Sequence, residues 1–198
     1  LYTITIFVGK LIMSERMEHF SELAKNRRSH RKFTQEKLGE EEIQTLLDAA
    51  LMAPTSKGLH SYSFCVVENP ELLALLSQCK AMGSQFVAES VCAIVVMAEP
   101  EISDVWIEDA STAAMSVLYQ AEDLGLGACW VQVRERKDAE GRDSEGIVRE
   151  ILSLPDEKRI VCLIALGHKG MERKGQNMER IEALKQEKVI RLYPPGRT

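Results

Sequence analysis

The chain has 198 residues, of which 45% are hydrophobic and 28% are charged, and its formal net charge is −5. This length fits one domain with a substantial core, and the acidic balance argues against nucleic acid as a partner, because backbone binding needs a broad basic surface. The five cysteines are an odd set without a Cys-x-x-Cys pair, so we expect reduced, buried thiols of a cytoplasmic protein and neither disulfides nor a zinc site.

Residues 1–12 are apolar and β-branched, with Lys10 as their only charge. A signal peptide would carry its charge before the apolar region and would end at a small-residue cleavage site, and neither feature is present. The stretch is also too short to span a bilayer, so we expect no membrane partner. We therefore expect 1–12 to be an extension, native or not, that precedes a single domain over 13–198.

A basic segment follows the first helix, which apolar spacing predicts at 17–25. Residues 25–32 hold five Lys or Arg side chains, a histidine and Ser29. Arginine forks, a serine hydroxyl and backbone N–H groups near a helix end are the donors that a phosphate monoester needs. The cations would also be favourable simply because they lie near the negative end of a helix dipole. The residues by themselves leave both interpretations open.

Apolar spacing and the positions of Pro and Gly predict the other elements. The pattern predicts helices at 40–53, 70–79, 105–124 and 147–152, and strands at 64–67, 93–98, after Gly125 and at 159–167. The almost purely apolar run at 93–98 is typical of a strand in the middle of a sheet. Residues 134–145 are almost wholly polar and predict a surface loop with solvated charges. The alternation of helices and strands indicates a layered α/β domain.

A second motif, Gly125-Leu-Gly-Ala-Cys-Trp130, joins the alanine-rich helix to the next strand. Two glycines at this place end a helix and permit a tight turn. In a dinucleotide-binding Gly-x-Gly-x-x-Gly motif the glycines follow a strand and open a helix, which is the reverse order. The motif therefore does not predict a Rossmann cofactor site.

Together, the two motifs resemble the nitroreductase-like flavoproteins over roughly 20–193. Arg27-Arg-Ser-His-Arg-Lys-Phe33 is similar to the Arg-x-Ser-x-Arg-x-Phe segment that opens the family, and Gly-Leu-Gly-x-Cys-Trp is similar to its second signature. The resemblance implies an α/β (α+β) fold, a three-layer αβα sandwich with a mixed, mostly antiparallel sheet flanked by helices. It also implies a homodimer in which a C-terminal arm, here 188–193, adds a strand to the partner's sheet.

The resemblance further implies which residues bind FMN. The phosphate would be held by Arg27, Arg28, Ser29 and Arg31, with a second contact from Arg173. A loop that lies against the flavin across the dimer interface would include Pro54, Thr55, Ser56, Gly58 and His60. Gln85 would face the pyrimidine edge of the flavin, and a backbone N–H at Val131 or Gln132 would donate to flavin N5.

Several positions depart from the family pattern. Gly58, His60 and Ser61 stand where Asn, Gln and Pro are usual, Tyr62 replaces a tryptophan, and Gln132 stands where glycine is common. The side-chain hydrogen bonds that the family's Asn and Gln make to the flavin therefore have no counterpart in the loop of this chain. Its passage from helix to strand is unaffected.

The implied activity is that of an FMN-dependent NAD(P)H oxidoreductase. NAD(P)H would deliver a hydride to flavin N5, and a small electron-poor acceptor such as a nitroaromatic or a quinone would then enter the same site in a ping-pong cycle. Such chemistry needs no side-chain nucleophile, which agrees with a sequence that has no recognisable triad, metal cluster or acid/base pair. His30, His60 and His168 are expected to be solvated loop residues rather than proton donors.

Three alternatives remain at this point. A family relative with the same frame could dehalogenate its substrate or break down the flavin itself. A flavin or nucleotide sensor would bind the cofactor without turnover. A nucleic-acid contact through 25–32 is opposed by the overall acidity of the chain.

Overall fold

The computed structural model describes residues 20–192, and these form six α-helices and four β-strands. In chain order they are α1 Phe20–Asn26, α2 Glu40–Leu51, β1 Tyr62–Val67, α3 Pro70–Leu76, β2 Cys92–Ala98, α4 Trp106–Asp123, β3 Leu126–Gln132, α5 Ser144–Leu152, β4 Arg159–His168 and α6 Met178–Lys188. Short 3₁₀ turns lie at Ser56–Gly58 and Gln85–Glu89. The expected extension at 1–12 lies outside the described residues, so the single domain over 13–198 stays a prediction.

The four strands form one sheet in the order β1-β2-β4-β3, and each neighbouring pair is antiparallel. The one parallel contact among the described residues is an isolated bridge between Ser29 and Ala128. All seven residues of β2 are buried. The apolar run at 93–98 is therefore a central strand, as its composition predicted.

Helices cover both faces of this sheet. Ile94 and Val96 of β2 belong to a core cluster with α2 and α4, whereas Val95 and Met97 belong to a second cluster with α3 and α5. Because successive side chains of a strand point to opposite faces, the two clusters lie on opposite sides of the sheet. This confirms the predicted three-layer αβα arrangement.

The predicted solvated loop at 134–145 is wrong at its carboxyl end, where Glu145 lies in the first turn of α5 and is buried. Its carboxylate accepts hydrogen bonds from Arg159 Nε at 2.6 Å and from the Ile160 N–H at 3.0 Å. Burial opposes ionisation, but these donors outweigh it and lower the pKa of Glu145 below its ordinary value. The carboxylate thus ties α5 to the start of β4.

Helix α6 was not predicted. Its N-cap residue Asn177 accepts a hydrogen bond from the Arg180 N–H at 3.0 Å, and none of its residues is buried. A helix without a buried apolar stripe leaves little periodic signal in a sequence. Val189 to Leu192 follow without strand pairing, and Tyr193 lies outside the described residues. The exchange of a C-terminal strand therefore stays a prediction.

All five cysteines are free, and four of them are buried, which agrees with the expected reduced thiols. Among residues 20–192, no helix has the length and apolarity needed to cross a membrane. Within the same range, no group of three or more His, Cys, Asp or Glu residues is arranged to hold a metal ion.

The basic segment docks across neighbouring ends of β3 and β4 through its backbone. The His30 N–H donates to the Ala128 carbonyl at 3.0 Å, and the Thr34 N–H donates to the His168 carbonyl at 3.1 Å. A third bond runs the other way, from the Gly170 N–H to the Lys32 carbonyl at 3.0 Å. These bonds fix the path of the segment against the sheet.

Glycines make this close approach possible. A Cβ atom on Gly170 would lie 3.0 Å from backbone atoms of Lys32 and Phe33, and one on Gly127 would lie 3.0 Å from the Cβ of His30. A Cβ on Gly167 would lie 3.1 Å from the Phe33 side chain. These contacts are shorter than real Cβ atoms normally tolerate, so any larger residue would push the basic segment away from the sheet.

We expect Gly170→Ala to reduce the free energy of unfolding by about 1–3 kcal/mol, because the added methyl group overpacks a contact between two backbones. Urea denaturation measures this directly. Gly146→Ala is the matched control, since Gly146 lies inside α5 and a Cβ there has its nearest such neighbour at 3.7 Å. Alanine favours helix by up to about 1 kcal/mol over glycine, so the control is neutral or stabilising. Equal stability of Gly170→Ala and the wild type would contradict the close docking.

Candidate functional site

The structure brings all five predicted phosphate-binding residues into one cavity of about 260 Å³. The cavity is lined by Arg27, Arg28, Ser29, Arg31, Arg173 and Gln176. Arg173 comes from the segment after β4, and its Nη1 donates to the Ser29 carbonyl at 2.9 Å. Two parts of the chain that are distant in sequence therefore build one basic wall.

Aromatic rings support two of these arginines. The guanidinium of Arg27 lies 6.0 Å from the ring centroid of Tyr119, and that of Arg31 lies 5.6 Å from the centroid of Phe86. A cation placed near a ring is attracted to it without using its N–H donors for a hydrogen bond. The two side chains are oriented while their donors stay available.

Within the described residues, no ion pair neutralises the arginines of the cavity. Among residues 20–192, none of Arg27, Arg31 and Arg173 forms an ion pair with a carboxylate. Arg28 uses Nη1 to donate to the Gly175 carbonyl at 3.2 Å and so helps to hold the wall together. The cavity is suited to an anion with several acceptor oxygens, because arginine N–H groups match such an anion well.

The expectation that His30 is a solvated loop residue is wrong, because His30 is only 4% exposed. Burial lowers the pKa of His30, and the neighbouring charge of Lys169 lowers it further, against an opposing effect of Glu122. Burial likewise raises the pKa of the Cys129 thiol, although the Arg31 charge partly offsets this. Both groups are therefore held towards their uncharged forms, and the arginines supply the positive charge.

The other two histidines also differ from one another. His168 is the last residue of β4, and its carbonyl accepts the Thr34 hydrogen bond already described, so it is not a loop residue. His60 is exposed in its loop, and its Nδ1 lies 3.2 Å from the Tyr62 hydroxyl. The three histidines therefore lie in three different environments.

At the other end of β3, the structure distinguishes between the two predicted backbone donors. The Ala128 carbonyl points to the outer edge of β3, where it meets His30, whereas the Val133 N–H points inward to the Val161 carbonyl at 3.2 Å. Alternate residues of an antiparallel strand turn their backbone groups to opposite edges. The Val131 N–H therefore faces β4, and the Gln132 N–H faces the open edge on which the basic segment lies.

The side chain of Gln132 is held in place by its neighbours on the strand. Its Oε1 accepts from the Trp130 indole N–H at 2.9 Å, and its Nε2 donates to the Arg134 carbonyl at 3.0 Å. Both ends of the amide are thus engaged within the protein. The Gln132 side chain, at the position where the resemblance leads us to expect glycine, therefore lies along the strand.

The loop with Pro54, Thr55, Ser56, Gly58 and His60 lies elsewhere. Its Ser56 N–H donates to Asp109 Oδ1 at 2.9 Å, in the first turn of α4, whereas Tyr119 beside the basic cavity lies ten residues further along that helix. Ten helical residues span about 15 Å. Within one chain, the structure therefore does not bring this loop to the basic cavity.

The loop has an unusual backbone. Lys57, Gly58 and His60 have φ values of 53°, 67° and 46°, in the left-handed region that costs free energy for residues other than glycine. The Thr55 hydroxyl accepts from the His60 N–H at 3.3 Å and so closes the loop on itself. This bond and the bond from Ser56 to Asp109 hold the loop, and neither of them reaches the basic cavity.

Gln85 uses its amide within its own turn. Its Oε1 accepts from the Gly83 N–H at 2.8 Å, and its Nε2 donates to the Ala81 carbonyl at 3.4 Å. The next residue, Phe86, is the ring that supports Arg31. Gln85 is thus next in sequence to the ring that supports Arg31, and its own side chain is engaged in the turn.

Sequence reasoning did not identify Gln176, Tyr119, Phe86 or Asp109. Gln176 lies in the cavity because its N–H donates to the Lys25 carbonyl at 2.7 Å, a contact between the two ends of the described chain. Tyr119 and Phe86 lie in predicted helical or loop segments that carry no motif. Only the cation–π distances given above show that they belong to the site.

Comparisons with known proteins point to one family. The sequence model of the nitroreductase family matches residues 24–168. A provisionally assigned NADH dehydrogenase/NAD(P)H nitroreductase of Archaeoglobus fulgidus is 30% identical over 156 residues, which are 77% of this chain and 86% of that protein. The solved structure of an FMN-dependent nitroreductase from Clostridium difficile R20291 is 40% identical, with a TM-score of 0.80, over 85% of this chain and 96% of that one. An FMN reductase (NADPH) of Bacillus subtilis is 30% identical over 77% of this chain and 66% of that protein.

Proposed function

The chain belongs to the nitroreductase family, and from this membership we propose that it is an FMN-dependent NAD(P)H oxidoreductase. The single observation that carries the proposal is the cavity in which Arg27, Arg31 and Arg173 meet Ser29 without an acidic partner in the described chain. The names of relatives point the same way, since an FMN-dependent nitroreductase and an NADPH-linked FMN reductase are among them.

The residues present fit the phosphate of FMN. A phosphate monoester carries about −1.5 to −2 charge at neutral pH and three acceptor oxygens. Arg27, Arg31 and Arg173 would supply charge-assisted hydrogen bonds to these oxygens, and the Ser29 hydroxyl would supply a neutral one. His30 and Cys129, held towards their uncharged forms behind the segment, would add no competing charge.

The open edge of β3 would position the flavin ring. Ala128, beside the basic segment, and Gln132 are four strand residues apart, a distance of about 13 Å. The ribityl chain of FMN separates its phosphate from its ring, so the two ends of the cofactor would use different ends of this edge. The Gln132 N–H would donate to flavin N5, while the Trp130 and Arg134 contacts of its side chain keep the amide out of the way.

When bound, FMN would accept a hydride from NAD(P)H and pass electrons to a nitroaromatic, a quinone or a similar electron-poor acceptor in a ping-pong cycle. The protein would bind, orient and shield the cofactor. No buried nucleophile or metal ligand set of the described chain has to take part. The free thiols are compatible with the reducing cytoplasm, where we propose that the protein works.

Replacement of Arg27 and Arg31 together by alanine is expected to weaken FMN binding by about tenfold per arginine. Charge-assisted hydrogen bonds contribute about 1.5–3 kcal/mol each, less where solvent reaches them. Quenching of FMN fluorescence on titration measures the dissociation constant. Lys32→Ala is the matched control, because Lys32 is exposed in the same segment and does not line the cavity. Unchanged FMN occupancy in the double variant would show that the phosphate binds elsewhere.

The FMN-loaded protein is expected to lose its visible absorbance on anaerobic addition of NADPH or NADH. Menadione or nitrofurazone would then restore the absorbance, and initial-rate plots at several acceptor concentrations would be parallel. Bound FMN that neither nicotinamide bleaches would instead identify a flavin-binding protein without turnover. Absorbance that oxidant and air both fail to restore would identify breakdown of the flavin itself.

We propose that the functional unit is a homodimer. The loop at 54–60 is held at the far end of α4 from the basic cavity of its own chain, so a loop that covers the flavin would have to come from the partner. Light scattering is expected to give about twice the chain mass of 22.2 kDa. A protein that light scattering shows to be a monomer and that still binds one FMN per chain would contradict this arrangement.

A further inference from the structure

A larger cavity of about 570 Å³ adjoins the proposed phosphate site and is not needed to explain FMN binding. The two cavities share Arg28, Arg173 and Gln176 in their walls, so they are immediate neighbours. The larger one adds Lys174 and Arg180 as further cations. Asn177, the N-cap of α6, accepts the backbone N–H of Arg180 at 3.0 Å and fixes the start of the helix that carries this arginine.

The charge in the two cavities exceeds what FMN would neutralise. Six cations line them, namely Arg27, Arg28, Arg31, Arg173, Lys174 and Arg180. None of the six forms an ion pair with a carboxylate in the part of the chain that the structure describes. A phosphate monoester brings about two negative charges. A second, multiply charged anion would therefore be attracted to the same surface.

One wall of the larger cavity is apolar. Ile181 and Leu184 lie one turn apart on α6, and both are partly buried at the cavity. Flat aromatic groups bind well where an apolar wall meets a few placed charges. The cavity thus combines a surface for a base with cations for phosphates, which is the pattern that a nucleotide with more than one phosphate requires.

We propose that this cavity binds the adenosine half of NADPH, with Lys174 and Arg180 at the 2′-phosphate and Ile181 and Leu184 against the adenine. The inference rests on the proposed function and makes it more specific. NADH shares the pyrophosphate and the adenine but lacks the 2′-phosphate. The protein consequently prefers NADPH to NADH, and the preference falls as salt screens the exposed cations.

Calorimetry with two non-reducible probes tests the site without turnover. Adenosine 2′,5′-bisphosphate is expected to bind the FMN-loaded wild type at least about tenfold more tightly than 5′-AMP, since each lost phosphate contact is of that order. The variant Lys174→Gln with Arg180→Gln loses this difference. Lys185→Gln, an exposed lysine of the same helix that pairs with Glu182, keeps it. Equal affinity of the wild type for both probes would overturn the inference.

Kinetics separate this inference from the proposed function. In the double variant, KM for NADPH is expected to rise about tenfold with kcat unchanged, whereas both constants for NADH stay as in the wild type. If NADPH and NADH reduce the flavin equally well and the variant changes neither, the 2′-phosphate site is wrong and the oxidoreductase stands. If neither nicotinamide reduces bound FMN, the proposed function and the assignment to NADPH are both overturned, whatever the probes bind.

Discussion

The close backbone contact between the basic segment and the ends of β3 and β4 is the constraint on which the site depends. Arginines on a free loop would repel one another and would have to be ordered by the ligand at an entropic cost. Here the hydrogen bonds of His30, Lys32 and Thr34 order the backbone beforehand. The glycines opposite the segment are required because a Cβ would occupy the space that the second backbone fills.

This contact also explains how a basic cavity can exist in an acidic protein. Like charges held close together destabilise the chain that carries them unless something offsets the repulsion. Tyr119 and Phe86 provide part of that offset through their rings. Burial favours the uncharged form of His30, which therefore adds no positive charge to the repulsion. Burial also favours the uncharged thiol of Cys129, which therefore does not neutralise the arginines. The remaining charge is available to a ligand, and the adjoining cavity along α6 extends the same arrangement.

Helix α4 separates the two halves of the proposed site. Its first turn holds the 54–60 loop through Asp109, and its last turns lie beside the basic segment, where Glu122 pairs with Lys169 at 3.0 Å. The distance between these ends is fixed, because α4 is one continuous helix whose backbone hydrogen bonds set its rise per residue. The loop of one chain cannot fold back to its own cavity, which is the physical reason for proposing a dimer.

The sequence alone determined what depends on local spacing. Apolar periodicity placed most helices and strands and identified β2 as central, because residue type and spacing suffice for such inferences. The segment from Arg27 to Phe33 was recognised as basic, with an anion site as one of two open interpretations. The tertiary structure alone decided the order of the strands, the burial of Glu145 and His30, the arrival of Gln176 beside Arg28, and the edge to which the Gln132 N–H points. These features depend on contacts between residues far apart in the chain, and no local pattern records which distant partner a residue meets.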